Sequence, residues 1–224
     1  MQRRGIPTTQ AIEDYLKAIL VLGANNRKVS TSAIADRLQV AQGSVTGMLK
    51  KLADMKLVEY SPYRGVELTK NGEKIALEVV RHHRLLELYL AEAMGYTWDK
   101  VHDEAEQLEH YISEEFEEKM VTFLGDPTFD PHGYPIPSKD GHMPDLTCFP
   151  LSHAEIGDRL IIKMVSDRDP EKLRYLGDLG LFPERGVEVL SKAPFNGPIK
   201  IQTEEQQHHL GRELADAILV DRIP

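Results

Sequence analysis

Between Thr9 and Leu22 the apolar residues Ile12, Leu16, Ile19 and Leu20 recur at helical spacing, and Gly23 with Asn25 and Asn26 closes the run. This predicts a first helix. The pattern then shortens: Ser30 or Ser32 can cap a short helix over 32–39, a tight connection "VAQG" follows, and a second helix from about Ser44 to Met55 turns Val45, Met48, Leu49 and Leu52 inward. Two short helices on a tight turn predict a helix-turn-helix. Behind it "LVEYSP" and "GVELT" read as strands joined by "PYRG", a hairpin that forms a wing.

Helical patterning returns over residues 75–94 and, after "GYTWDK", over 101–125 as one long helix. The run 126–145, "DPTFDPHGYPIPSKDGHMPD", is too rich in proline and glycine for regular structure and predicts a linker or extended strap. Short β-rich runs punctuated by glycine and proline fill the remainder, which reads as a small β-barrel. The expected fold is multidomain and mainly α with a small β domain: a winged helix-turn-helix over 1–75, a helical domain with its Pro-rich linker over 76–146, and a β-barrel over 147–224.

Length agrees, since 224 residues suit two or three modest cores. With 41% hydrophobic and 28% charged residues the composition is that of a globular chain, and "AILVLGA" is too short to cross a bilayer, so no membrane association is expected. No apolar segment follows the N-terminal arginines, and a single cysteine, Cys148, supports neither a disulfide framework nor a thiolate zinc site; both point to the cytoplasm. Cys148 itself reads as a small buried hydrophobe.

Charge divides the chain. Net charge is −9, yet residues 1–75 carry twelve Lys and Arg against seven Asp and Glu, and the remainder fifteen against twenty-nine. One part suits a polyanion and the other gathers cations or stays solvated. On the second short helix Gln42, Ser44, Thr46 and Gly47 offer small groups to base edges or phosphates, while Lys50, Lys51 and Arg64 offer cations to a backbone, so double-stranded DNA is the expected partner.

The acidic part holds "HDEAEQLEH", His102 to His110, without a lysine or arginine. On a continuous helix His102, Glu106, Glu109 and His110 would share an arc of about 100° beside an apolar stripe. Carboxylates clustered there repel one another unless a cation sits among them. His83 and Glu87, at i and i+4 on the preceding helix, can complete a second site with His102. "SEEFEE" reads instead as a solvated face, and His82, His208 and His209 as exposed histidines.

"EDYLKAI", the helix-turn-helix, "YRGVELTKNGEKIA", "RHHRLLELYL" and "VHDEAEQLEH" together resemble the diphtheria toxin repressor family of iron- and manganese-dependent transcriptional regulators, over about residues 8–145. The resemblance implies a homodimer whose bound metal sets its two DNA-binding domains at operator spacing. It further implies a primary metal site of Asp14, Glu106, Glu109 and His110 and an ancillary site of His83, Glu87 and His102. Carboxylates at positions 14 and 106 side with the manganese-responsive members, with Fe²⁺ as the alternative to Mn²⁺; Lys17 departs from the short manganese regulators, which have glutamate there. "LGDLGLFPERGVEVL" resembles the SH3-like C-terminal domain of longer members, and "SDRDPEKL" is the loop from which Asp169 or Glu171 would add a ligand. The reading is a manganese-dependent regulator repressing metal-uptake genes. A di-metal carboxylate enzyme is the rival, but it wants Glu-x-x-His pairs on two helices and leaves the winged helix unexplained. A third reading keeps DNA binding and makes the metal purely structural.

Overall fold

The computed structural model describes residues 9–23, 28–144, 146–204 and 206–223. Asn25, Asn26 and Asp145, expected to end elements, and the N-terminal arginines lie outside the described residues. The chain forms two compact units.

The first unit comprises residues 1–82, 109–112 and 137–142. It contains α1 (Gln10–Leu22), α2 (Thr31–Leu38), α3 (Gln42–Asp54), β1 (Val58–Ser61), β2 (Gly65–Leu68) and the first half of α4 (Lys70–Met94). Ile12, Leu16 and Ile19 of α1 pack with Ile34, Val45, Leu49, Leu52 and Val66 in one core. Each such side chain contributes about 1.5–3 kcal/mol by leaving water. Of the two candidate caps, Ser30 starts α2 by accepting from the Ala33 amide, and Gln39 ends it in the left-handed conformation. α3 begins at Gln42, slightly before the expected start. β1 and β2 pair antiparallel from Val58↔Leu68 to Ser61↔Gly65, with Tyr63 and Gly65 at positive φ around the tip, which gives the expected wing.

The second unit holds residues 83–108, 113–136 and 143–224. Here the single helix expected over 101–125 is two: α5 (Val101–Leu108) and α6 (Glu114–Leu124). Ser113 accepts from the Phe116 amide and Glu114, Glu115 and Glu117 occupy the first turn, so a capped, dipole-complemented start overrides the continuous periodicity. Residues 109–112 thereby leave the helix as a turn.

The C-terminal part forms β3 (Phe149–Pro150), a 3-10 turn (Leu151–His153), β4 (Arg159–Val165), α7 (Pro170–Asp178), β5 (Gly186–Lys192), β6 (Ile199–Gln202), β7 (Gln207–Leu210), α8 (Arg212–Ala217) and β8 (Ile218–Arg222). The strands make one antiparallel sheet in the order β3-β8-β4-β5-β6-β7. Leu160, Ile162, Leu173, Val189, Ile201 and Val220 fill its core, against which Trp98 packs.

The Pro-rich run is an ordered strap. Asp130, His132 and Ile136 are buried, the Val165 amide donates to the His132 carbonyl at 2.9 Å, and Gly133 at φ +88° lies where any side chain would collide with the Lys163 carbonyl.

Candidate metal centres and nucleic-acid interface

Asp14 on α1 meets the turn that breaks the long helix. His110 Nε2 lies 2.9 Å from Asp14 Oδ1 and 3.5 Å from Glu109 Oε1. Its Nδ1 is 2.7 Å from Glu13 Oε2 and donates to it, so once the ring gives up its second proton the buried Nε2 is the atom left with a lone pair toward Asp14 and Glu109, as a metal ligand needs. Although burial works against its charge, Asp14 and Glu13, with Glu109 nearby, raise the His110 pKa to about 9. Glu109 is fully buried, and the Lys17 ammonium reaches both its oxygens, at 3.0 and 2.8 Å. His82 also belongs here: it is buried, not exposed as expected, with Nδ1 3.2 Å from the Glu109 carbonyl.

A second cluster lies in the other unit. Glu87 Oε1 is 3.0 Å from His83 Nε2 and 3.0 Å from His102 Nδ1, and Asp167 Oδ2 is 3.7 Å from His102 Nδ1. One ligand atom from each of His83, Glu87, His102 and Asp167 lies within 4.8 Å of the others. The i, i+4 spacing on α4 explains the first pair, and α5 brings His102. Burial opposes ionisation of Glu87, but His83, His102 and His132 hold its carboxyl well below the usual range. Behind it, Asp130 is raised to about 8 by burial and by Glu87, while His132, despite burial, is raised to about 9 by Glu87 and Asp130.

The loop "SDRDPEKL" supplies a carboxylate, from a different residue than expected. Asp169 caps α7, its Oδ1 accepting from the amides of Glu171 and Lys172, and it pairs with Lys172 at 3.2 Å. Glu171 is exposed in the first turn of α7. Neither joins a cluster; Asp167 does. Glu106 is on α5 in the second unit, with Oε1 3.8 Å from His102 Nε2. Sequence reasoning passed over Glu13, Asp130, His132 and Asp167. His208 is buried and His209 exposed, where both were expected outside, and Cys148 is half-buried.

Both clusters fit a divalent cation. Their donors are carboxylate oxygens and imidazole nitrogens, and four of the six buried side-chain atoms without a hydrogen bond among the described residues, Glu87 Oε2, His110 Nε2, Asp130 Oδ2 and His132 Nδ1, belong to or adjoin them. Buried polar atoms are rarely left unpaired unless an unseen partner exists.

On α3, Gln42, Ser44, Gly47, Lys50 and Lys51 are exposed, as is Arg64 on the wing. Thr46 is half-buried and its hydroxyl donates to the Gln42 carbonyl at 3.1 Å. A basic winged helix carried in one chain with carboxylate-imidazole clusters defines a metal-dependent DNA-binding regulator. Family models agree: the iron-dependent repressor N-terminal DNA-binding domain matches residues 7–66, the iron-dependent repressor metal-binding and dimerisation domain 69–138, and the FeoA domain 149–222. The iron-dependent repressor IdeR of Mycobacterium leprae (strain TN) is 30% identical, over 94% of this chain and 96% of its own. A solved manganese-dependent transcriptional repressor in complex with manganese is 37% identical, with TM-score 0.88 over 95% of this chain and all (100%) of that one. The manganese regulator SloR is 31% identical, with TM-score 0.77 over 95% and 98%. The chain belongs to the diphtheria toxin repressor family of metal-dependent transcriptional repressors, whose members are DNA-binding proteins rather than enzymes.

Proposed function

We propose that this repressor is manganese-responsive, acts as a homodimer on double-stranded operator DNA, and represses metal-uptake genes. The observation that carries the metal assignment is the donor set: Asp14, Glu109 and His110 in one cluster and His83, Glu87, His102 and Asp167 in the other offer oxygen and imidazole nitrogen and no sulfur. Hard donors of this kind suit manganese, whereas thiolate favours softer ions. Glu106, the fourth primary ligand implied by the resemblance, lies on α5 with Oε1 3.8 Å from His102 Nε2, and it too offers oxygen rather than sulfur. Bound metal supplies positive charge; the chain's own residues do the coupling. Asp14 belongs to the helix that packs on the DNA-binding core, and Glu109 and His110 to a turn continuous with α5 and α6, so holding them together fixes α1 to that turn.

For the dimer, Phe116 and Phe123 are exposed on α6 beside Tyr89, at ring-centroid distances of 6.0 and 5.6 Å, within the residues matched by the dimerisation model. An exposed aromatic patch of this kind marks an association surface. On α3, Gln42, Ser44 and Gly47 approach the bases, the Thr46 methyl meets a thymine methyl, and Lys50, Lys51 and Arg64 neutralise phosphates.

The test is operator binding, on duplexes selected with the protein itself, under anaerobic Mn²⁺, Fe²⁺ and Zn²⁺. Mn²⁺ gives the highest plateau, since zinc's four-coordinate preference leaves ligands unengaged, and Glu106→Cys shifts the ranking toward Fe²⁺. An Fe²⁺ plateau above that of Mn²⁺ in the unaltered protein would make this an iron regulator. Binding indifferent to every metal would make the metal structural.

A further inference from the structure

Asp167 is the loosest member of its cluster. His83, Glu87 and His102 meet one another at 3.0 to 3.1 Å, whereas Asp167 Oδ2 stands 3.7 Å from His102 Nδ1, too far for a hydrogen bond. Its position is therefore set by the elements on either side. Before it, the end of β4 is fixed by its backbone: the Val165 amide donates to the His132 carbonyl at 2.9 Å and the Ser166 amide to the Ala217 carbonyl at 2.8 Å. After it comes α7, which starts at Pro170.

The turn that leads into α5 grips α7. Trp98, the sole tryptophan, lies so close to Gly177 that a Cβ there would come within 2.9 Å of its Nε1, and its ring meets Phe182 at 4.8 Å. Glycine inside a helix suits a place where another group must approach the backbone. Near it on the same face of α7, Arg174 donates twice to Asp99 Oδ2, at 3.2 and 3.0 Å, and Asp99 is buried. The turn is also anchored from behind, since the Trp98 carbonyl accepts from His132 Nε2 at 2.7 Å and the indole stacks on that imidazole at 5.8 Å. The two sides of this contact run straight into the two groups that do not quite touch: Trp98 and Asp99 into His102 on the first turn of α5, and α7 back into Asp167. Neither Trp98 nor Asp99 belongs to the cluster itself.

We propose that Trp98 and Asp99, closing on Gly177 and Arg174, form a clamp that positions Asp167 at the His83, Glu87 and His102 cluster and so sets how fully the C-terminal β domain takes part in metal binding. The inference rests on reading that cluster as a metal site. The clamp acts by placement alone: a carboxylate already held at the site adds more to binding than one that must be ordered when the ion arrives.

Mn²⁺ affinity at this cluster is measured by calorimetric titration of the full chain and of Trp98→Leu, Gly177→Leu, Arg174→Met, Asp167→Ala and His102→Leu, with the three clamp substitutions repeated on Asp167→Ala. Trp98→Leu and Gly177→Leu weaken Mn²⁺ by up to the about 10–100-fold expected on losing Asp167, and Arg174→Met by less. On the Asp167→Ala background the same substitutions change nothing further, which a general loss of stability would not produce. A clamp variant that weakens Mn²⁺ as much without Asp167 as with it overturns the proposal. So does parental affinity in Arg174→Met, a side chain 58% exposed whose loss leaves the core intact, which decides the matter if the other two variants melt without cooperativity. His102→Leu separates the two readings. If it and Asp167→Ala weaken Mn²⁺ while the clamp variants do not, the metal site stands and the clamp falls; if His102→Leu leaves Mn²⁺ binding unchanged, both fall.

Discussion

The two histidine-carboxylate clusters solve one electrostatic problem in different ways. At the first the chain brings its own cation: the Lys17 ammonium grips both oxygens of a fully buried Glu109, leaving Asp14 and His110 as the groups with something still to bind. At the second the groups around Glu87 are imidazoles, and the strap behind it adds an aspartate, so buried acceptors outnumber fixed charges. A permanent ammonium holds a site together with or without metal. Imidazoles do so only as proton carriers or as ligands, so the second cluster depends more on its occupant.

The largest effect should come from removing the built-in cation. Lys17→Met strips the ammonium from a buried carboxylate, and breaking such a pair costs about 3–5 kcal/mol. Metal-free protein should therefore melt well below the parent, and saturating Mn²⁺ should recover more stability in the variant than in the parent. Equal melting of the two metal-free proteins would show that Lys17 does not balance Glu109.

Next come the two aspartates of one loop. Loss of Asp167 should weaken Mn²⁺ at the second cluster by about 10–100-fold, a range set by partners that support metal ligands. Asp169→Ala should leave Mn²⁺ affinity alone and lower the melting temperature, because it removes the α7 cap. Calorimetric titration with melting curves separates them, and weaker Mn²⁺ binding in Asp169→Ala would return that residue to the ligand set.

Proton competition at the first cluster is smaller. His110 without metal holds its proton to about pH 9, and a ligand must surrender it, so Mn²⁺ binding should tighten as pH rises toward that value, by about tenfold per unit for the one proton displaced. Affinity independent of pH between 6 and about 8 would mean that His110 is no ligand.

The smallest effects lie on α3. Lys51→Ala should weaken all duplexes alike and lower the salt slope by about one, whereas Thr46→Ala should blur sequence preference. Identical behaviour of both variants in a salt series on specific and random duplexes would undo the assignment of that face.

What could be read from sequence followed how local each signal is. The winged helix was legible because Ile12, Leu16, Val45 and Leu49 keep helical spacing within single elements and a serine cap precedes α2. The break between α5 and α6 was present in Ser113 and its following glutamates, but an apolar stripe running through both helices masked it. Asp169 stands before Pro170, the cap-then-proline signature of a helix start, and that signal assigns it to α7 rather than to a metal. Asp130 and His132 had no local signal, since a proline-rich run gives no face to assign. Only its docking on β4 brings them to Glu87. His82 has a related history: it is buried, and the Glu109 carbonyl it meets at 3.2 Å belongs to a turn distant in sequence.

The most direct test of the account is operator affinity titrated with Mn²⁺ for the unaltered protein and for Asp14→Ala, with dimer state and melting monitored alongside. If metal ties α1 to the Glu109–His110 turn, Mn²⁺ should strengthen operator binding by about 5–150-fold in the parent, the usual span of coupling between sites. Asp14→Ala should stay folded and dimeric with most of that gain lost. A full Mn²⁺ response in Asp14→Ala would contradict the link between this cluster and DNA binding.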